Sequence, residues 1–202
     1  SIASVASFFV SRVDAKADAL LPAGSGLRGR VAIANAQRAY ARYSARFAGE
    51  RWRRLRDAGA HAQRPLWAST GTKNPAYSDV RYVEQLIAPG VVNTMPEATL
   101  RAFADHGEIG LSIDARLRDA EDILRRAEAS GLDLPALTTE LEREGVRAFC
   151  ASYRELLSRI ETKVPHGDPG KDFRRADANP SQAVRVPNGG PTQDETRGSS
   201  WQ

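Results

Sequence analysis

The sequence predicts an α/β fold built on a parallel sheet. Three short apolar runs, "SVASFFV", "PLWAS" and "GVVNTM", read as buried strands, and amphipathic helical stretches separate them. With 202 residues and 41% hydrophobic content, the chain can build one sizeable core.

The first run, Ser4 to Val10, is apolar on both alternations, as a fully buried parallel strand would be. It passes through Ser11-Arg12-Val13-Asp14 into an alanine-rich helix ending near Leu21, where "PAGSG" interrupts. Arg30 to Ala48 places Val31, Ala34, Ala41 and Ala45 near Tyr40, Tyr43 and Phe47 at helical spacing, with no breaker inside. The helix "RWRRLRDAGAH" (Arg51 to His61) stops at Gly59, with Trp52 and Leu55 expected inward and its arginines outward. The second strand follows, then a helix over Ser78 to Ile87 with Ser78 or Asp79 as its cap. Gly90 to Met95 is the third buried strand, and Pro96-Glu97 opens a helix to about His106. From Asp114 the chain reads as helical, over Asp114 to Ser130 and Pro135 to about Lys163, the second part split near Gly145. After Pro165 the abundance of Pro, Gly, Asn and Asp predicts disorder. The expected organisation is a folded unit over 1–164 and a disordered tail over 165–202.

The formal net charge is +4 and the pI about 9.5, with arginine far outnumbering lysine, found only at positions 16, 73, 163 and 171. Such mild basicity permits an anionic ligand without pointing to nucleic acid. The arginines around Trp52 could contact RNA, but a helix with arginines outward explains them as well. No apolar run is long enough to span a bilayer. The lone Cys150 excludes an internal disulfide, fits a reducing cytoplasm and reads as a small buried hydrophobe. His61, His106 and His166 lack metal-ligand spacing, and His106-Gly107 looks like a helix end. The acids Asp119, Glu121 and Asp122 alternate with arginines as a solvated face with i,i+4 pairs.

The chemistry concentrates where strands end. In "RPLWASTGTKNPAYSD" an apolar strand leaves through two hydroxyls, a glycine and a lysine, a combination suited to an anionic substrate. Parallel α/β folds bind ligands at the carboxyl ends of strands, and Ser11-Arg12, Ser69 to Lys73 and Asn93-Thr94 lie there. Arg12 could instead pair with Asp14 or Asp18.

These stretches suggest a family. "SVASFFVSRVD", "QRPLWASTGTKNPAYSDVRYVEQLIAPGVVNTMPEATLRAFADHG" and "GLDLPALTTELEREGVRAFCASYRELL" closely resemble the carboxyl-terminal half of transaldolases of the actinobacterial type, from about Ser4 to Leu157. The resemblance implies a partial TIM (β/α)8 barrel, comprising roughly the last three βα units plus C-terminal helices. It implies a cytoplasmic pentose phosphate pathway enzyme that moves a dihydroxyacetone unit between ketose and aldose phosphates, without metal or cofactor. The substrates it implies are fructose 6-phosphate, sedoheptulose 7-phosphate, erythrose 4-phosphate and glyceraldehyde 3-phosphate. Carried over by position, Arg12 matches the phosphate-binding arginine, and Ser69 matches a second phosphate ligand. Lys73 stands near where many relatives have arginine, in a loop of different length. Ser7 matches a serine facing the sugar, and Gly71 would let the backbone approach the phosphate. The family's Schiff-base lysine and its acid/base carboxylates lie on earlier strands, so no catalytic residue is assigned in this chain. The chain therefore reads as a fragment, inactive alone, unstable and prone to aggregate through open sheet edges. The rivals are a truncated, non-catalytic relative and a basic RNA-associated protein.

Overall fold

A computed structural model of the chain describes residues 2–110, 113 and 117–163. The chain divides into two units, Ser1–Arg154 and Glu155–Gln202. The described part of the second is the exposed end of a helix, and the predicted disorder over 165–202 lies outside the described residues.

Three strands, β1 (Val5–Phe9), β2 (Arg64–Ala68) and β3 (Val92–Asn93), form a parallel sheet in that order. Phe8 stands beside Trp67, and Leu66 beside Val92. The helices are α1 (Ser11–Leu20), α2 (Val31–Ala48), α3 (Glu50–Asp57), α4 (Arg81–Glu84), α5 (Glu97–His106), α6 (Leu117–Ala129) and α7 (Leu134–Lys163). Side chains alternate across a strand, so Phe8 and Trp67 face one side while Val5, Ser7 and Phe9 face the other. On the first side the rings of Phe8 and Trp67 meet edge to face at 5.7 Å, and the Trp67 indole N–H donates to the Leu86 carbonyl at 3.0 Å. Here lies the core, continued by Val31, Ala34, Leu86 and, from the α6 face packed on α2, Ala120, Leu124 and Ala127.

Several expectations are corrected. β1 is not buried throughout: Val5, Ala6 and Ser7 are exposed, because one face of the strand is open and the core reaches the other only at Phe8. β3 is two half-buried residues rather than a buried strand. α1 starts at once, with Ser11 to Asp14 as its first turn. The helix expected over Ser78 to Ile87 shrinks to α4, without a side-chain cap. Past Glu84 the turn tightens: the Leu86 N–H donates to Val83 O, three residues back, at 3.3 Å, and Leu86 O itself accepts from Trp67. α7 runs unbroken through Gly145. A glycine there costs only about 1 kcal/mol, and Lys16 grips Glu140 and Glu144 in the preceding turns. From Val146 onward α7 is exposed all round, so Cys150 is exposed, not buried. In α3, Trp52 packs edge-on against Phe47 at 4.6 Å, but Leu55 is exposed. As read from the sequence, Gly59 ends α3, with φ +91°, and Asp122 pairs with Arg125 and Arg126.

Candidate functional site

The ends of β1 and β2 are locked to each other. Past the last paired residues, the Val10 N–H donates to Ala68 O at 2.9 Å and the Ser11 N–H to Ser69 O at 3.0 Å. The hydroxyls of Ser11 and Ser69 then meet at 3.0 Å. Ser69 holds φ +57°, a left-handed backbone uncommon for a residue with a side chain. Such strain costs on the order of 1 kcal/mol and clusters at ligand sites. Here it turns the chain out of β2 while keeping the hydroxyl beside α1.

Arg12 follows Ser11 in the first turn of α1. Its guanidinium lies over the Phe9 ring, 4.8 Å from the centroid. Stacking engages a face and leaves the N–H edge for an acceptor. Arg12 makes no hydrogen bond or ion pair among the described residues. The nearby acids of α1 are committed elsewhere, while exposed Glu142 of α7 lines the same cavity as Arg12. Asp14 accepts from the Ala32 N–H at 2.8 Å and the Tyr82 hydroxyl at 2.9 Å. Asp18 accepts from the Gly29 N–H at 2.8 Å and the Tyr77 hydroxyl at 2.7 Å. Arg12 and Ser7 line one cavity of about 630 Å³, walled by Phe9 and by Leu141, Gly145 and Phe149 of α7.

The structure thus brings Arg12 and Ser7 into one cavity, while Ser69 is bonded to Ser11, the residue before Arg12, and does not line that cavity. Lys73 is exposed and lines a separate cavity of about 210 Å³, with Ser11, Asp14, Asp18, Tyr77 and Tyr82. Burial of Asp14 pushes its carboxyl up to about 6, opposed in part by its two hydrogen bonds.

The remaining polar groups of the strand ends are structural. Thr70, fully buried, lies 3.0 Å from Asn93 Oδ1 and 2.9 Å from the Thr94 carbonyl; Thr94 donates through its N–H and hydroxyl to Trp67 O. Gly71 is accounted for by packing: a Cβ there would meet Pro96 Cγ at 3.0 Å. Sequence reasoning did not single out the pairing of Ser11 with Ser69, nor α7 as a wall of the cavity. The first had a signal, a serine within two residues of each strand end in "FFVSR" and "LWAST"; the second had none. Among the described residues, no group of His, Cys, Asp and Glu could hold a metal ion, and no helix is long and apolar enough to cross a membrane.

The family model described as Transaldolase/Fructose-6-phosphate aldolase matches residues 1–160. A transaldolase of Mycolicibacterium smegmatis is 52% identical over 169 residues, covering 81% of this chain and 46% of that protein. A transaldolase of Saccharopolyspora erythraea is 49% identical over 167 residues, covering 81% and 46%. Transaldolase 1 of Streptomyces coelicolor is 50% identical over 165 residues, covering 79% and 43%. The chain spans about half the length of the curated relatives it matches.

Proposed function

Because this chain belongs to the transaldolase/fructose-6-phosphate aldolase family, we propose that it forms the phosphate-binding end of a transaldolase of the pentose phosphate pathway. In this reading β1, β2 and β3 are the last three strands of a (β/α)8 barrel. Ketose and aldose phosphates, fructose 6-phosphate first among them, are the substrates. Arg12 grips the phosphate by its N–H edge, Ser69 adds a hydroxyl from the second strand end, and Ser7 faces the sugar. Lys73 contributes field rather than contact.

The Schiff base with the ketose carbonyl needs a lysine inside the barrel. Lys16 is held by Glu140 and Glu144, and Lys73 and Lys163 lie off the strands. The reading therefore assigns the lysine, and the carboxylates that move protons through water, to the part of the relatives' length that this chain does not cover. The 202 residues alone bind sugar phosphate and do not turn it over.

One observation carries the proposal: the hydrogen bonds joining Ser11 to Ser69 bring the two strand ends that bear Arg12 and Ser69 together at one end of the sheet. Calorimetric titration of the chain with fructose 6-phosphate tests it. Arg12→Ala is expected to weaken binding by about 2 kcal/mol, roughly thirtyfold, while fructose itself binds neither form. Equal affinity for fructose and fructose 6-phosphate would sink the reading. So would steeply salt-dependent RNA binding with no sugar phosphate affinity. The intact mass of the protein captured from its own cells settles whether the catalytic lysine is on the same polypeptide.

A further inference from the structure

Away from the strand ends, α2, α4 and α6 enclose a cavity of about 440 Å³. Each helix contributes one face by its own period: Arg30 and Gln37 from the start of α2, Arg81 and Glu84 from α4, Asp119 from α6. Two of these groups are left wanting. Gln37 is only 3% exposed, yet its amide makes no hydrogen bond among the described residues. Arg81 is half-buried, its guanidinium 4.9 Å from the Tyr77 ring centroid, and its buried Nε has no partner. It forms no ion pair among the described residues. Leaving the buried Arg81 donor unpaired costs about 1–3 kcal/mol, and more for a charged group. The Gln37 amide, unbonded and not itself sealed from solvent, opens onto the same cavity, so both groups are available to a ligand there.

We propose that this cavity is a second binding site, for a small oxyanion that also carries hydroxyl groups. Arg81 and Arg30 supply the cationic forks, at the positive end of α2. Gln37 and the Ser78 hydroxyl lining the same space complete the donors. The carboxylates answer a different need. One oxygen of Glu84 already accepts from the Glu108 N–H at 2.9 Å; the other, with exposed Asp119, is open to ligand hydroxyls. A bare dianion would feel both acids as repulsion, whereas a phosphorylated polyol satisfies both halves of the site. The volume suits a ligand of triose to hexose size. The site shares no lining residue with the cavity of Arg12 or that of Lys73.

The test uses the whole chain carrying Arg12→Ala, so that the strand-end phosphate site is silent whether or not that assignment holds. Glycerol 3-phosphate and inorganic phosphate are titrated against it by calorimetry. Glycerol 3-phosphate is expected to bind one equivalent, at least about fivefold more tightly than phosphate. Adding Arg81→Met should weaken it roughly tenfold or more, and Gln37→Leu about fivefold. Gln37→Leu keeps the test decisive if Arg81→Met folds poorly, because it replaces an amide that bonds nothing in the described fold with a side chain of similar volume. Absence of binding, equal affinity for the two ligands, or unchanged affinity in Gln37→Leu would each overturn the proposal.

Discussion

The two faces of the sheet differ more than their sequence does. On the covered face Phe8 meets Trp67, which is 1% exposed and hydrogen-bonded to Leu86. On the other, Val5 is 46% exposed, and the one ring that meets Phe9 among the described residues is Phe149 at 6.3 Å, itself 63% exposed. Both faces carry residues that prefer burial, yet one forms a core and the other a half-open wall beside Arg12. Apolar character in a strand records that a face is meant to be covered, without recording what covers it.

The sharpest way to break that contrast is to truncate one aromatic on each face. Trp67→Ala removes a buried ring and leaves the Leu86 carbonyl without its donor, so it should cost about 3–5 kcal/mol, enough to unfold a marginal domain. Phe9→Ala should cost under about 1 kcal/mol, because its ring is already wet. Urea midpoints for the two variants measure the difference directly. Equal losses would mean that the Phe9 face is covered in solution, and the contrast would fall.

The buried side contains its own weakness in Asp14, an ionisable group 2% exposed beneath α2 and Tyr82. Its carboxyl, ordinarily near 3.8, is pushed up to about 6 by burial. The folded protein then holds this proton more tightly than the unfolded chain. The stabilisation is fully present below about 3.8 and is lost as pH rises through about 6, in total ~3 kcal/mol. Asp14→Asn is neutral at every pH, still accepts from Ala32 through Oδ1, and can donate to the Tyr82 oxygen. Its thermal midpoint should therefore stay flat between pH 4 and 6, while that of the parent falls. A parent midpoint that rises across that window would show that the hydrogen bonds outweigh burial.

Much of this was legible in sequence wherever one physical rule dominated. The period of Val31 to Ala48 marked α2, Pro96 marked the start of α5, and Gly59, at φ +91°, marked the end of α3. The positions of Arg12 and Ser69 came from family resemblance, and the structure adds the serine pair that joins their strand ends. What was hidden depends on partners distant in the chain. Trp67 and Ile113 hold the carbonyls just past α4, and Lys16 clamps the turns of α7 leading into Gly145. Cys150 reads as buried by its type, but it is exposed even though Phe149 beside it meets Phe9. A Cβ at Gly71 would meet Pro96 Cγ, a contact made across the chain.

The smallest expected effect lies on the exposed rim, where His106 ends α5. Its Nε2 meets Asp79 at 3.0 Å and its Nδ1 meets Asp105 at 3.1 Å. Both carboxylates raise the imidazole pKa, Asp79 the more strongly, and the helix C-terminus favours the same charge. Because the folded value is raised, the contribution is present below the ordinary histidine range and is lost as pH rises through the raised value. It runs in the same direction as that of Asp14 but at higher pH, so the two separate on one titration axis. Solvent screens the pair, which keeps the change in thermal midpoint slight. The direct reading is the His106 ring resonance: Asp79→Asn should lower its midpoint more than Asp105→Asn does. The reverse order would mean that the neighbour in sequence, rather than the contact across to α4's entry, sets the charge. The link from α5 to that loop would then add nothing to the covered side.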